Sequence, residues 1–406
     1  MRVAWLAPYP VQLLEPSVRL ARRQDAFQSC SWIVHLSSAL AGRQDIELHL
    51  VTESTLVPCD QVVESGGIVF HVLKASLPLV NRGFPPWLPL DVVSGFRYNV
   101  KRQVREIERI DPDVVHPHGT ERAYAMAGVA SGWPCVISIQ GIISEYVKIY
   151  RNWALGRIAR LEERTVQEGR YFIAQSKDVR RFLESVNPAA RIFDIELPVD
   201  PLYFRVRRHE QSQRRILFVG SIEPRKGVPE LISGFADFCR DHKGYRLIVI
   251  GNGNKGFVAA MKELAECCGV GSQVEWRGFQ VASQIARECE TAALLVAPSR
   301  AETFCCVVAE GMAAGLPIVA TNVAGIRSVL QDRRTGLLVE SQAPEALASA
   351  MRELVDNPLL SETLGQQARA TAKQRFDRDV LAARIYEVYQ EVLAKEAPSP
   401  DYSRCA

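Results

Sequence analysis

Residues 293–321 read ALLVAPSRAETFCCVVAEGMAAGLPIVAT. ALLVAPS (293–299) and PIVAT (317–321) are short apolar runs that do not alternate with polar residues. Gly315 and Pro317 form a stop signal, so a short helix is expected from about 306 to 314. Val307, Val308 and Met312 supply its apolar face. Strand, loop, short helix and strand in that order describe one turn of a βαβ unit. Non-alternating runs of this kind suit parallel strands covered on both faces.

The same rhythm extends in both directions. In the second half it includes RILFVGS (215–221), RLIVIGNG (246–253) and GLLV (336–339). In the first half it includes RVAWLAP (2–8), IELHLVT (46–52), GIVFHVL (67–73), PDVVHPH (112–118), PCVISIQG (134–141) and RYFIAQS (170–176). Helix-length amphipathic stretches lie between them, at 228–242, 256–268 and 344–373. The pattern occurs twice, which predicts an α/β protein of two doubly wound, Rossmann-like domains. The break falls at RVRRHEQSQRR (205–215), which is polar, basic and without apolar periodicity. The expected organisation is therefore a first domain over 1–203, a linker over 204–214 and a second domain over 215–375. A helix over 378–395 and a disordered tail over 396–406 complete the chain.

The 406 residues are enough for two or three domains with cores of their own. At 47% hydrophobic and 23% charged, the composition excludes collagen-like and fully disordered classes. No apolar run is long enough to span a bilayer, and the N-terminus lacks the plan of a secretory signal. A net charge of +3 gives no reason to expect nucleic acid. The ten cysteines form no CxxC pair, so they are expected to be reduced packing residues of a cytoplasmic protein, with no bound metal.

Four constellations could carry chemistry. Gly220-Ser221-Ile222-Glu223-Pro224-Arg225-Lys226-Gly227 joins a strand to a helix, a junction suited to an anion. It is not a Walker loop, and a basic turn can equally be just solvated. Gly251-Asn252-Gly253 ends a strand with a tight turn, or is only an ordinary turn. Glu302 lies in the loop after ALLVAPS and Glu310 inside the following helix. Acids at the carboxyl ends of parallel strands can accept hydrogen bonds from vicinal hydroxyls, or simply cap the helix. His118 ends the run PDVVHPH, where it can orient a hydroxyl or phosphate, whereas His116 inside the run reads as a core residue. The proline-rich segment 76–97, with Trp87, is a packed loop or an acceptor-side or membrane-touching loop.

Taken together, the chain resembles retaining glycosyltransferases of family 4, which have the GT-B fold, and in particular members that build bacterial surface polysaccharides. The resemblance rests on Glu302-x7-Glu310 with EGMAAGLPIVAT, on VAGIRSVL, RTGLLV and GSIEPRKG, and on HPHGTE with SIQG. GNG (251–253) and VEWRGF, with Gly278 and Phe279, match nucleotide-side elements. The resemblance implies two Rossmann-like domains facing a central cleft, with the C-terminal helix crossing back to the first domain. By the same resemblance, Glu310 holds a nucleotide ribose. Glu302 and the backbone of Thr303, Phe304 and Cys305 hold the donor sugar and leaving phosphate. Gly220, Ser221, Arg225 and Lys226 form the donor-phosphate loop, and His118 touches the donor sugar or orients the acceptor. The implied reaction needs no metal or cofactor. It moves a sugar from a UDP- or GDP-sugar to a glycan or lipid-linked acceptor, with peripheral contact at the inner face of the cell membrane.

The chain also departs from that family. Ser221 stands where an arginine is usual and Cys305 where a glycine is usual. An acid common near Ser328 is absent, and Pro198-Val199-Asp200 is all that remains of a hinge motif. Residues 9–32 replace a Gly-Gly loop. A sugar-nucleotide epimerase, or a binding protein without turnover, are the alternatives these departures leave open.

Overall fold

Strand β1 (Arg2–Leu6) has four consecutive buried residues, as a parallel strand covered on both faces requires. In the computed structural model, which describes residues 1–21, 31–75, 89–150, 152–208 and 214–396, β1 lies at the centre of the first of two compact units. That unit comprises Met1–Gln175, Val179–Glu196 and the chain from Arg378 onward; the second comprises Ser176–Asp178 and Leu197–Asp377.

The first unit contains β2 (Glu47–Ser54), β3 (Gln61–Ser65), β4 (Ile68–Lys74), β5 (Val114–Pro117), β6 (Val136–Ser138), β7 (Tyr171–Ala174) and β8 (Arg191–Asp194). Its strand orders are β3-β4-β2-β1-β5 and β6-β7-β8. Single bridges at Val115–Cys135 and His118–Ser138 carry β5 on to β6. The chain moves outward from β1 through β2 to β4 and then returns to β5 on the other side of β1. The point where strand order reverses therefore lies between the carboxyl ends of β1 and β5, where open α/β sheets bind ligands.

The second unit repeats the scheme with β9 (Arg215–Val219), β10 (Arg246–Ile250), β11 (Val274–Gly278), β12 (Leu294–Ala297), β13 (Ile318–Thr321) and β14 (Leu337–Val339). The order is β11-β10-β9-β12-β13-β14, all parallel, so here the reversal falls between β9 and β12. Ile216, Leu217 and Phe218 of β9 are all buried. Each such side chain contributes about 1.5–3 kcal/mol of transfer free energy.

Several expectations need correction. β3, β8 and β11 were not among the expected strands, because QVVES, RIFD and VEWRG carry too few apolar residues in a row. β3 runs antiparallel to β4. Gly66 and Gly67 both take positive φ, +59° and +76°, the backbone of a tight two-residue hairpin. The helical stretch expected over 344–373 is two helices, Pro344–Asp356 and Pro358–Arg375. Pro358 cannot donate to the first helix, and the Asn357 side chain accepts from Leu360 N to start the second. The helix expected over 228–242 stops at Phe238.

Part of the basic stretch is packed. Tyr203 and Val206 are buried, and the Arg208 guanidinium donates to Ala292 O (3.0 Å) and Gly315 O (3.4 Å) in the second unit. Both carbonyls follow helix ends, where a cation is stabilised. Arg208 is thereby taken from any lipid headgroup, while Arg205 and Arg207 remain exposed. In the segment 9–32, Val11, Leu14 and Val18 are buried, and residues 22–30 lie outside the described residues. Most of 76–97, with Trp87, and the tail from 397 also lie outside them. The eight described cysteines are free thiols.

The helix Arg378–Glu396 belongs to the first unit. Its Tyr389 hydroxyl accepts from Trp5 Nε1 (2.8 Å) and lies 2.5 Å from His116 Nδ1. Indole can only donate, so the tyrosine's own proton goes to Nδ1. His116 then carries its proton on Nε2, which faces Ser138 Oγ at 2.8 Å. This chain of bonds agrees with the reading of His116 as a core residue.

Candidate functional site

The carboxyl ends of β9, β10 and β11 are stitched together beyond the sheet. Gly220 N donates to Ile250 O (2.9 Å), Gly251 N to Gly278 O (2.8 Å) and Ile222 N to Asn252 O (2.8 Å). This stitching explains the Gly251-Asn252-Gly253 turn. A Cβ at Gly251 would lie 1.9 Å from Gly220 O, and one at Gly253 would lie 2.1 Å from Ile222 O. Gly278 has φ +65°, and Phe279 follows it. A cavity of about 390 Å³ borders this edge, lined by Asn252, Lys255, Lys262, Trp276 and Gly278 among others. A larger one, of about 660 Å³ near Arg208, Ala293 and Pro317, is at the opposite, amino edge of the sheet.

Across the reversal point, the β9 loop meets the β12 loop. Gly227, at φ +66°, passes so close to Pro298 that a Cβ would lie 2.0 Å from its carbonyl oxygen. Arg300 N donates to Arg225 O at 2.7 Å. The turn Pro224–Lys226 then delivers two cations to one carboxylate. Lys226 Nζ donates to Glu302 Oε1 at 2.6 Å, and Arg225 Nη1 donates to Oε2 at 2.9 Å. Ser299 Oγ donates to Oε1 at 2.8 Å. Arg225 also donates to Ala301 O (3.0 Å) and Glu223 Oε1 (2.9 Å), and Ser221 Oγ donates to that same Glu223 oxygen (2.8 Å).

The Glu302 side chain is only 6% exposed. Burial works against its charge, but Lys226 and Arg225 outweigh it and hold the carboxyl below its usual range. Burial likewise works against the Lys226 ammonium, and Glu302 more than offsets this, so that lysine stays charged. The backbone of Glu302 is fixed as well. Gly325 N donates to Glu302 O at 2.9 Å, and a Cβ at Gly325 would lie 2.5 Å from that oxygen. This contact accounts for the glycine in VAGIRSVL.

Thr303, Phe304 and Cys305 are buried in the same loop, and Cys305 opens the helix Cys306–Ala313. Burial pushes the Cys305 thiol up to about 12, so it is an inert packing group. Glu310 projects from this helix toward a different neighbourhood. Its carboxyl is hydrogen-bonded by Tyr203 and faces the charge of Asp200. Burial, with Asp200 adding to it, pushes Glu310 up to about 8. The structure thus gathers Ser221, Arg225, Lys226 and Glu302 into one cluster and sets Glu310 apart on its helix. Tyr203 and Ser299 were not singled out from the sequence, and Glu223 was read there only as part of the loop Gly220–Gly227. Tyr203 follows the degenerate hinge motif, and Ser299 ends an apolar run, so neither has a signal of its own.

His118 belongs to the first unit, at the carboxyl end of β5 beside the reversal point. It is 1% exposed, and neither ring nitrogen has a partner. Its ring lies 4.3 Å from that of Trp5 and 4.1 Å from that of His116. Burial, and then His116, hold its pKa well below the ordinary histidine value, so the ring is neutral. Among the described residues, no group of three His, Cys, Asp or Glu side chains could hold a metal ion, and no helix is long and apolar enough to cross a membrane.

Two family models match consecutive halves of the chain. Glycosyltransferase Family 4 covers residues 31–201, and Glycosyl transferases group 1 covers residues 200–371. A D-inositol 3-phosphate glycosyltransferase of Segniliparus rotundus is 30% identical over 225 residues, which is 55% of this chain and 47% of that protein. The matched stretch thus spans about half the length of that curated relative. Sucrose-phosphate synthase from Thermosynechococcus elongatus superposes with a TM-score of 0.80 at 18% identity, covering 98% of this chain and all of that one. Anabaena HepE, solved in complex with UDP, gives a TM-score of 0.70 at 17% identity, covering 96% of this chain and all of that one. These likenesses establish the GT-B architecture of two Rossmann-like domains.

Proposed function

The chain belongs to the family 4, group 1 glycosyltransferases of GT-B fold, and from that premise we propose that it moves a sugar from a nucleoside diphosphate sugar to a hydroxyl of a glycan or lipid-linked acceptor. The observation that carries the proposal is the convergence of Arg225, Lys226 and Glu302 at the reversal point of the second unit. Two half-buried cations at the end of a parallel sheet suit a diphosphate. A buried carboxylate beside them suits the hydroxyls of the sugar it carries.

In this reading the diphosphate draws Lys226 and Arg225 toward its oxygens. They neutralise charge that grows as the bond from the anomeric carbon to phosphate breaks. The acceptor oxygen forms the new bond to that carbon from the same face, so configuration is retained. Its proton passes to the departing phosphate oxygen, and the side-chain cations do the work a metal would otherwise do. Glu310 accepts from the ribose hydroxyls. UDP is the first nucleotide to test because a structural neighbour binds it; GDP is the second. The free thiols support a reducing, cytoplasmic setting. With a lipid-linked acceptor, the enzyme works at the inner face of the membrane.

Titration calorimetry with UDP, GDP, ADP and CDP tests the proposal. One nucleotide is expected to bind, and its sugar conjugate to be consumed when an acceptor is present. Failure of all four to bind would remove the donor site and the proposal with it.

A further inference from the structure

The cavity of about 660 Å³ at the amino edge of the second sheet is lined by two guanidiniums, those of Arg208 and Arg369. Both arginines are half-buried. Arg208 enters from the basic stretch, and Arg369 from the helix Pro358–Arg375. They meet around Gly315. Its carbonyl oxygen accepts from Arg208 Nη1 at 3.4 Å, and a Cβ built on it would lie 3.8 Å from Arg369 Nη1. Tyr245, Leu294, Pro317 and Leu354 give the cavity apolar wall, and Ser361 and Gln366 add polar groups.

Among the described residues, neither arginine forms an ion pair. Their acceptors are backbone carbonyls, those of Ala292 and Gly315 for Arg208 and those of Phe204 and Val206 for Arg369. Burial lowers the Arg208 pKa, and what counters it is the Cys289 thiol rather than a carboxylate. A helix end carries only about half a negative charge, so such carbonyls do not cancel two full positive charges. A guanidinium has five N–H donors, and on each arginine more remain than these carbonyls use. Among the described residues of the wall, Glu362 is the one acid. It is exposed, and it accepts from Gln366 Nε2 (3.0 Å) rather than from an arginine. Two like charges drawn together without a carboxylate are costly unless an anion joins them.

We infer that this cavity binds a small phosphate ester, with the phosphate between Arg208 and Arg369 and the esterified group against Tyr245, Leu294 and Pro317. The planar fork of a guanidinium matches the oxygens of a phosphate. The volume lies in the range of small-ligand sites and leaves room beyond the phosphate for an organic group. Both guanidiniums are drawn in from the surface, which suits a soluble ester that enters the cavity rather than a headgroup held in a bilayer. The site is separate from the donor cluster. Leu294 starts β12, whereas Ser299 and Glu302 follow its end, and a strand of that length sets roughly 13 Å between the two edges. Nothing in this assignment depends on the sugar-transfer reading.

Calorimetry on the full chain compares glucose 6-phosphate and phenyl phosphate with inorganic phosphate and with glucose. At least one ester should bind saturably, at least five-fold more tightly than inorganic phosphate and at least ten-fold more tightly than glucose. Arg208→Gln should weaken that ester at least ten-fold. Glu362→Gln removes the acid from the wall and leaves both arginines in place, so it should tighten the ester at least two-fold, a gain that a misfolded chain cannot give. Lys226→Ala disables the donor cluster and should leave ester affinity within two-fold. Four results would each overturn the inference. They are no binding of either ester, inorganic phosphate binding as tightly as both esters, wild-type affinity in both Arg208→Gln and Glu362→Gln, and loss of binding in Lys226→Ala, which would place the ester at the donor loop.

Discussion

Lys226 Nζ stands 2.6 Å from Glu302 Oε1, so the group that would neutralise the leaving phosphate is already tied to the acid that would hold the sugar. Arg225 closes the other side of the same carboxylate. Donor entry therefore exchanges one set of charge-assisted bonds for another. The cations stay ordered without ligand, which lowers the reorganisation needed at reaction.

Lys226→Ala should lower the rate of donor turnover by about a hundred-fold or more, the range found when one preorganised charge or donor is removed from a developing oxyanion. Arg225 still holds Glu302 in that variant, so the fold should survive. Initial rates with the bound nucleotide's sugar conjugate check this, with the exposed Lys243→Ala as control. A Lys226→Ala enzyme as fast as wild type would take Lys226 out of the reaction.

Glu310→Gln should change the pH dependence of stability. Burial raises the Glu310 pKa to about 8, against 4.5 for a free side chain. The folded chain thus holds a proton that the unfolded chain has lost between those values. This contribution to stability is complete below pH 4.5 and is lost as pH rises through 8, at up to about 1.4 kcal/mol per pH unit. The variant lacks this loss, so its melting temperature relative to wild type should climb from pH 5 to pH 9. A constant difference between the two proteins would mean that Glu310 is ionised throughout.

Proton release should accompany nucleotide binding at pH 7 if ribose hydroxyls donate to Glu310. Hydroxyl donors favour the ionised carboxylate, so binding pulls the Glu310 pKa down and expels its proton. Calorimetry in buffers of different ionisation enthalpy counts that proton directly. Equal heats in phosphate and Tris would place the ribose elsewhere.

How far these residues could be foreseen depended on the range of the interaction. The doubly wound pattern was legible because Val, Ile and Leu runs such as RILFV report burial on both faces locally. The Gly251 and Gly253 turn was visible as letters, but not its reason, since the atoms it must avoid lie on Gly220 and Ile222, some thirty residues earlier. Lys226 and Glu302 were each picked out, and their ion pair was not. They are 76 residues apart, and only the return of β12 to the side of β9 joins them.

Gly251→Ala should abolish nucleotide binding and destabilise the second unit. The added methyl would sit 1.9 Å from Gly220 O, a contact that only backbone movement can relieve. That movement opens the bonds from Gly220 N and Ile222 N and frees the phosphate loop. Calorimetry and thermal melting check both effects; unchanged binding would show that the loop pairing does not shape the site.

Tyr389→Phe tests how the last helix is held. The tyrosine hydroxyl is the partner of both Trp5 Nε1 and His116 Nδ1, and all three side chains are fully buried. Removing one oxygen therefore orphans two buried polar atoms with no water to replace it. Each costs about 1–3 kcal/mol, so the variant should lose about 2–6 kcal/mol in urea unfolding. The loss should fall on the first unit, with faster amide exchange in β1, β5 and the helix Arg378–Glu396 and unchanged exchange in β9 and β12. His118 packs against both Trp5 and His116, so a loosened layer also shifts that ring. A variant within about 0.5 kcal/mol of wild type would mean that apolar packing alone holds the helix, and that the hydroxyl network adds nothing to it.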